Sequence, residues 1–185
     1  MTKRPPVARW VSMVGHPVAV VPFSVALVSR SAVTTGVLVG AMLVMMVVIV
    51  RKVRRGEWTD LDVSAAEHRP GMYARAIVIA VVAWLCLAAL GHGASAIGGV
   101  GIAIGMMIVA VALSRWDLKI SMHVGFDAYA ALLPIAVMPA VTGGLALLTI
   151  AVGWSRVVLR RHTVAEVVLG AAIGVAGGAI LHWVR

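Results

Sequence analysis

Charged residues are scarce in this sequence. Asp, Glu, Lys and Arg make up 12% of its 185 residues, and 62% of the residues are hydrophobic. Soluble domains carry about 25% charged residues. The composition therefore excludes an ordinary soluble protein and indicates an integral membrane protein. The apolar segments leave no room for a separate aqueous domain, so we expect residues 1–185 to form a single transmembrane domain.

Cysteine is almost absent as well. The single cysteine, Cys86, lies in the apolar run W-L-C-L-A, where we expect it to pack as a small hydrophobic side chain. One cysteine excludes a disulfide framework within the chain.

Long apolar runs fill most of the sequence, and a helix needs about 20 such residues to cross a bilayer. The fifth and sixth runs are short and flank Pro139, which favours a hairpin of two short helices over one kinked helix. His16 and Pro17 interrupt the first run, so six spans plus an interfacial segment stay an alternative. We treat that run as an uncleaved span, because arginine is poor in a signal-peptide cleavage site. The sequence thus predicts an all-α bundle of six to seven transmembrane helices, over Val11–Val28, Ala32–Val50, Arg75–Leu90, Ala96–Leu113, His123–Met138, Gly143–Trp154 and Thr163–Val184.

Positive charge is unevenly distributed between the two ends of the predicted helices. With seven spans, every Lys and Arg except Arg30 and Arg185 falls at one membrane face, and so do all seven acidic residues. The positive-inside rule makes that face cytoplasmic. We therefore expect a multi-pass protein of the cell membrane whose active site lies at the cytoplasmic face.

Glycines recur at four-residue intervals in two of the runs. Gly170, Gly174 and Gly178 lie in the last run, and Gly101 and Gly105 lie in the fourth. Small residues at this spacing let helix backbones approach closely in a membrane, so we expect both sets to pack against neighbouring helices.

Three polar stretches lie at the charged face. They cover residues 58–70, 114–123 and 155–170, and an even number of predicted spans separates each from the next. We therefore expect all three stretches to meet in one site.

Two histidines in these stretches each have a carboxylate four residues later, a pattern that suggests phosphoryl transfer. His162 and Glu166 are four residues apart, so they are neighbours on one helix face, and His123 and Asp127 repeat the pairing. A carboxylate that holds one ring nitrogen leaves the other to attack phosphorus. Arg156 precedes the first pair and can clamp a phosphate with its planar guanidinium.

The three stretches resemble the type 2 phosphatidic acid phosphatase superfamily of membrane lipid phosphatases. The signature of that superfamily is K-x6-R-P, then P-S-G-H, then S-R-x5-H-x3-D. The third motif is present here as S-R-V-V-L-R-R-H-T-V-A-E, from Ser155 to Glu166, with Glu in place of the last Asp. The second appears as I-S-M-H, which keeps Ser121 and His123. The first appears as D-V-S-A-A-E-H-R-P, which keeps Arg69 and Pro70 but has Asp62 where the family has Lys.

The resemblance, which covers about residues 58–170, implies a role for each matching residue. His162 would be the nucleophile that forms a phosphohistidine, Glu166 would orient it, and His123 would be the general acid. The phosphate would be held by the residues that match the motifs, Arg69, Arg156, Ser121 and Ser155. The chemistry of the family requires no metal. The implied partners are a membrane and a lipid phosphate, either a polyprenyl or a glycerolipid phosphate, and no nucleic acid.

Asp62 is the main departure from the family, because it places a negative charge where a phosphate ligand is expected. Lys119 or Arg115 could supply the missing cation. Alternatively, oxygen ligands from Asp60, Asp62 and Glu67 could bind Mg²⁺. Such a site would suit a metal-dependent lipid phosphotransferase or a prenyl-diphosphate enzyme. A third possibility is a non-catalytic protein that only binds phospholipid.

Overall fold

The computed structural model describes residues 5–63, 65–116 and 118–184. These ranges contain eight α-helices and no β-strand. In chain order the helices are α1 (Pro6–Val14), α2 (Pro17–Ser29), α3 (Ala32–Arg54), α4 (Arg69–Ala89), α5 (Ala94–Ser114), α6 (Met122–Leu132), α7 (Pro139–Val158) and α8 (Val164–Trp183).

Five of these helices are long and apolar enough to cross a membrane, namely α3, α4, α5, α7 and α8. α1 and α2 are bent by 40° relative to each other and make a sixth candidate if they count as one broken span. The structure therefore has the all-helical architecture of a membrane bundle with five or six candidate spans, fewer than the upper value of seven. The break has a local cause, since the His16 side chain caps α2 and Pro17 begins it.

The predicted fifth span is wrong in its length. α6 has 11 residues, or about 16 Å at 1.5 Å per residue, which is about half of a ~30 Å hydrocarbon core. Pro134 has no backbone N–H to continue the helical hydrogen bonding, and α6 ends at Leu132. Pro139 then occupies the first position of α7, which is favourable for proline. The predicted hairpin is present, but α7 is a helix of 20 residues and not a short one.

α6 lies in the interior of the bundle, where it packs mainly against α8 and α7. The glycines of α8 allow this approach. A Cβ atom at Gly174 would overlap the carbonyl oxygen of Gly125, and one at Gly170 would overlap the carbonyl oxygen of Ser121. A Cβ at Gly178 would lie 2.6 Å from a methyl carbon of Leu132. The predicted packing role of the α8 glycines is confirmed.

The glycines of α5 behave differently. A Cβ at Gly101 would make only an ordinary contact with Trp84, at 3.7 Å, and one at Gly105 would meet nothing within 4 Å. The expectation of close packing at these two positions is wrong, because no neighbouring backbone comes near them.

The loop between α3 and α4 is anchored by two buried side chains. Trp58 and Val63 pack with Ile49 of α3, and the Arg75 guanidinium lies 5.9 Å from the centre of the Trp58 ring. Asp62 is thereby held at the end of the bundle where α4, α6 and α8 begin.

Candidate active site

The three polar stretches converge on a small cavity of about 50 Å³ at one end of the bundle. Residues of the α3–α4 loop and the first turn of α4 form one side, and the ends of α6 and α7 form the rest. The lining residues are Asp62, Val63, Arg69, Met72, Tyr73, Ile120, Met122, His123, Arg156, Arg161 and His162.

His162 is fixed by the start of α8. Its Nδ1 lies 2.8 Å from Oε2 of Glu166, and the same carboxylate oxygen accepts the backbone N–H of Thr163 at 3.4 Å. The Thr163 hydroxyl in turn accepts the Glu166 N–H, which completes a capping box. Arg160, at φ 55°, turns the chain out of α7 so that His162 faces the cavity. With Nδ1 held by Glu166, Nε2 is the nitrogen available for chemistry.

Burial lowers the pKa of His162 to about 4, although the hydrogen bond that Nδ1 donates to Glu166 acts in the opposite direction. The nearby Arg156 and Arg69 lower this pKa further. The ring is therefore neutral near pH 7. If Nδ1 donates its hydrogen to the carboxylate, Nε2 carries a lone pair, as a nucleophile requires.

Arg156 is the most deeply placed charged residue of the site, with 1% of its surface exposed. One terminal nitrogen lies 3.0 Å from Oδ2 of Asp62 and donates at 3.0 Å to the Ser12 hydroxyl of α1. In the described part of the chain its Nε has no acceptor. Because a buried donor without a partner is costly, the guanidinium is suited to receive an additional anion.

The Asp62 carboxylate lies among the positive groups of the cavity. Besides Arg156, it has the Nε of Arg161 at 3.8 Å, while a terminal nitrogen of Arg161 lies 3.1 Å from Asp60. The backbone N–H of Asp62 donates to Asp60 at 2.9 Å, which fixes the loop. Asp62 is thus the anion that Arg156 and Arg161 contact in the cavity.

His123 faces Asp62 and not Asp127. Its Nε2 is 3.8 Å from Oδ1 of Asp62, and its ring packs edge-on against that of His16 with the centroids 4.7 Å apart. Asp127 is fully buried, and within the described residues neither of its carboxylate oxygens has a hydrogen-bond partner. The predicted pairing of His123 with Asp127 is therefore replaced by a contact with the α3–α4 loop.

The predicted phosphate ligands divide into two groups. Arg69 and Arg156 line the cavity. Lys119 is exposed outside it, and the Ser155 hydroxyl donates to the Val152 carbonyl of its own helix at 2.7 Å. Ser121 is buried behind the lining, where its backbone N–H donates to the Glu166 carbonyl at 3.0 Å. That bond joins the start of α6 to the start of α8, so Ser121 positions the two histidines.

The acidic residues predicted to bind Mg²⁺ do not converge. Asp60 and Asp62 face the arginines, whereas Glu67 is exposed on the 3₁₀ turn Ala66–His68 and does not line the cavity. Among the described residues, the group with metal-type donor atoms near one another is His16, Asp62 and His123, within 4.8 Å.

The hydrogen bonding of His16 does not favour a metal in that group. Its Nδ1 accepts the N–H of Val18 at 3.2 Å, so in the neutral ring Nε2 carries the hydrogen. A metal at Nδ1 would displace the hydrogen bond that caps α2. A metal at Nε2 would require the hydrogen to move to Nδ1, and Nδ1 could then no longer accept the Val18 N–H.

Three contributors to the site were not predicted from the sequence. Ser12 and His16 come from the N-terminal helices, and Arg161 lies in the turn between α7 and α8. The signal for His16 was present, because an ionisable residue at membrane depth is a candidate functional residue. No comparable signal marks Ser12, whose partner is 144 positions away.

The chain matches no protein-family model, no curated protein and no solved structure. Its resemblance to the lipid phosphatases therefore depends on the three motifs.

Proposed function

We propose that this protein is a membrane lipid phosphatase that hydrolyses a phosphomonoester or diphosphate of a lipid through a phosphohistidine at His162. One observation carries the proposal. His162, whose Nδ1 is held by Glu166, lines the same small cavity as Arg69, Arg156 and His123, at the end of a bundle of apolar helices.

The proposed reaction has two steps. Nε2 of His162 attacks phosphorus and the bond from phosphorus to the lipid oxygen breaks. His123 gives that oxygen a proton. Burial holds the pKa of His123 well below its usual range, and the bound phosphate anion raises it so that the ring carries the proton in the substrate complex. Water then attacks the phosphohistidine, His123 takes a proton from the water, and phosphate leaves with His162 restored. Arg69 and Arg156 stabilise the charge on the phosphoryl oxygens. Glu166 stabilises the cationic ring by accepting its Nδ1 hydrogen.

The distribution of charge supports a cytoplasmic orientation of this site. Arg51, Lys52, Arg54 and Arg55 lie at the end of α3 that adjoins the α3–α4 loop, together with Asp62. Clusters of this kind favour the cytoplasmic side and its anionic headgroups. We therefore propose a lipid of the inner leaflet as the substrate.

Phosphate release by the purified protein from a panel of lipid phosphates tests this function. With ³²P-labelled substrate and rapid quenching, we expect a labelled protein whose phosphate is stable in alkali and lost in acid, as for phosphohistidine. Release should persist in the presence of a chelator. Release abolished by the chelator would contradict the metal-free phosphohistidine mechanism. Absence of release and of label for every lipid would contradict the proposal.

Asp62→Asn is expected to make the protein depend on phosphate for stability. The substitution removes the anion that faces buried Arg156, and an unpaired buried charge is strongly destabilising. We expect the melting temperature in detergent to fall by roughly 5 °C. Inorganic phosphate should restore it, because a ligand that binds the folded state stabilises that state. Differential scanning fluorimetry over a phosphate titration measures both effects.

Asp60→Asn is the matched control for this experiment. Asp60 pairs with Arg161 at 3.1 Å, whereas Asp62 is the carboxylate that lies 3.0 Å from Arg156, and the new amide can still accept the N–H of Asp62. We expect phosphate to stabilise this variant no more than the wild type. Equal stabilisation of Asp62→Asn and Asp60→Asn would show that the Asp62 carboxylate does not compete with phosphate.

A further inference from the structure

A second and much larger cavity, of about 480 Å³, adjoins the catalytic one. The two cavities share five lining residues at the site, which are Asp62, Met72, Tyr73, Met122 and His123. The larger cavity extends from there between α2, α3, α4 and α5. Its volume lies within the range of about 300–1,000 Å³ that is typical of small-molecule sites.

The larger cavity is apolar over most of its length. Side chains such as Val21, Val25, Met42 and Ala80 line its middle. The polar groups concentrate at its two ends, with His123 and Asp62 at the catalytic end. At the far end His92 Nδ1 lies 3.1 Å from the Thr34 hydroxyl. A ligand that fills this space must therefore be hydrocarbon in the middle with its polar head at the arginines.

The length of the cavity exceeds one leaflet of a bilayer. Thr34 and Ile49 both line it and are fifteen residues apart on α3, which corresponds to roughly 22 Å along the helix. Half of a typical hydrocarbon core is only about 15 Å. A chain that fills the cavity would pass the midplane of the membrane, farther than an ordinary acyl chain reaches from its own leaflet.

We infer that the larger cavity holds the hydrocarbon chain of the substrate, and that the substrate is a long single-chain lipid phosphate of the isoprenoid class. This inference rests on the proposed function, because the head group is placed by the catalytic cavity. A glycerolipid phosphate has two acyl chains, so one of them would have to stay outside. A single long chain places its phosphate at His162 and its tail toward Thr34.

The variant Ala80→Phe tests the inference by filling the cavity. Ala80 lines it at mid-length on α4, and Ala88 is exposed on the same helix outside it. For Ala80→Phe we expect the KM for farnesyl phosphate to rise about tenfold, equivalent to ~1.4 kcal/mol of lost binding. Its turnover of a soluble aryl phosphate should not change. Ala88→Phe should match the wild type on both substrates.

A second pair of variants guards against a failure to fold. Ala103→Phe fills the same cavity from α5, and Ala112→Phe is its exposed counterpart. Wild-type KM values for farnesyl phosphate in both cavity-filling variants would overturn the inference. So would a wild-type protein that turns over phosphatidic acid in preference to farnesyl phosphate and a longer polyprenyl phosphate.

Photolabelling separates a failure of this inference from a failure of the proposed function. A farnesyl phosphate analogue with a diazirine at the end of its chain should label cavity-lining peptides of α3 and α5, and Ala80→Phe should reduce that labelling. If these peptides are labelled but no phosphate is released, the tail site stands and the phosphatase proposal fails. If phosphate is released while the label spreads over the lipid-facing surfaces, bilayer lipid fills the cavity and the inference fails.

Discussion

His162→Ala is expected to lower phosphate release by at least about a thousandfold, since loss of a nucleophile removes the covalent step itself. The variant should keep the helical content and melting temperature of the wild type within a few degrees, because the Thr163–Glu166 capping box does not need the imidazole. Initial rates with a lipid phosphate and thermal melts in the same detergent measure both properties.

His182→Ala is the matched control, because it removes a histidine from the far end of α8, the helix that follows His162. His182 bonds to the Leu132 carbonyl at 2.8 Å and lines neither cavity. We expect this variant to keep its activity and its ³²P label, and His162→Ala to lose both. Wild-type turnover in His162→Ala would refute the proposed mechanism.

Gly174→Ala is expected to have the largest effect on stability. Its new methyl group would overlap the carbonyl oxygen of Gly125 and lie 2.8 Å from the Ala128 Cβ. Neither neighbour is the flexible end of a long side chain, so α6 and α8 must separate. Overpacking of this kind costs about 3 kcal/mol, which corresponds to a melting temperature lowered by roughly 10 °C for a chain of this size.

The same substitution should also reduce turnover in the molecules that stay folded. α6 carries His123, α8 follows His162, and the Ser121–Glu166 bond joins the two helices near the site. A displacement of about 1 Å can reduce a rate about a hundredfold. Gly105→Ala is the control, since its methyl group meets nothing within 4 Å. If both variants melt at the wild-type temperature, the close approach of α6 to α8 is not important for stability.

How far the sequence predicts the site depends on the range of each contact. The His162–Glu166 pair is local, because four residues make one helical turn, so spacing alone places the two side chains together. The pair His123–Asp127 has the same spacing, yet His123 contacts Asp62 of a distant loop. Local periodicity could not choose between a partner on the same helix and one brought in by tertiary packing.

In the fold, too, local features were predicted well and features that depend on tertiary packing were not. Long apolar runs predicted α3, α4, α5 and α8 well, since length and hydropathy are local properties. The extent of α6 and α7 depended on where Pro134 and Pro139 interrupt one apolar stretch. The glycine spacing predicted close helix packing in both α5 and α8, but of these two sets only the glycines of α8 have a neighbouring backbone packed against them. The spacing shows that a close approach is possible, and the neighbouring helix determines whether it occurs.

The contact of Arg156 with Ser12 has a consequence for biosynthesis. The site takes side chains from α1 and the start of α2 as well as from α7 and α8, so it cannot assemble before the ribosome has begun to synthesise α8. Until then the early helices lie in the bilayer without their later partners, and Arg156 and His162 have not been synthesised. A chain that is still in the translocon therefore lacks a complete candidate site.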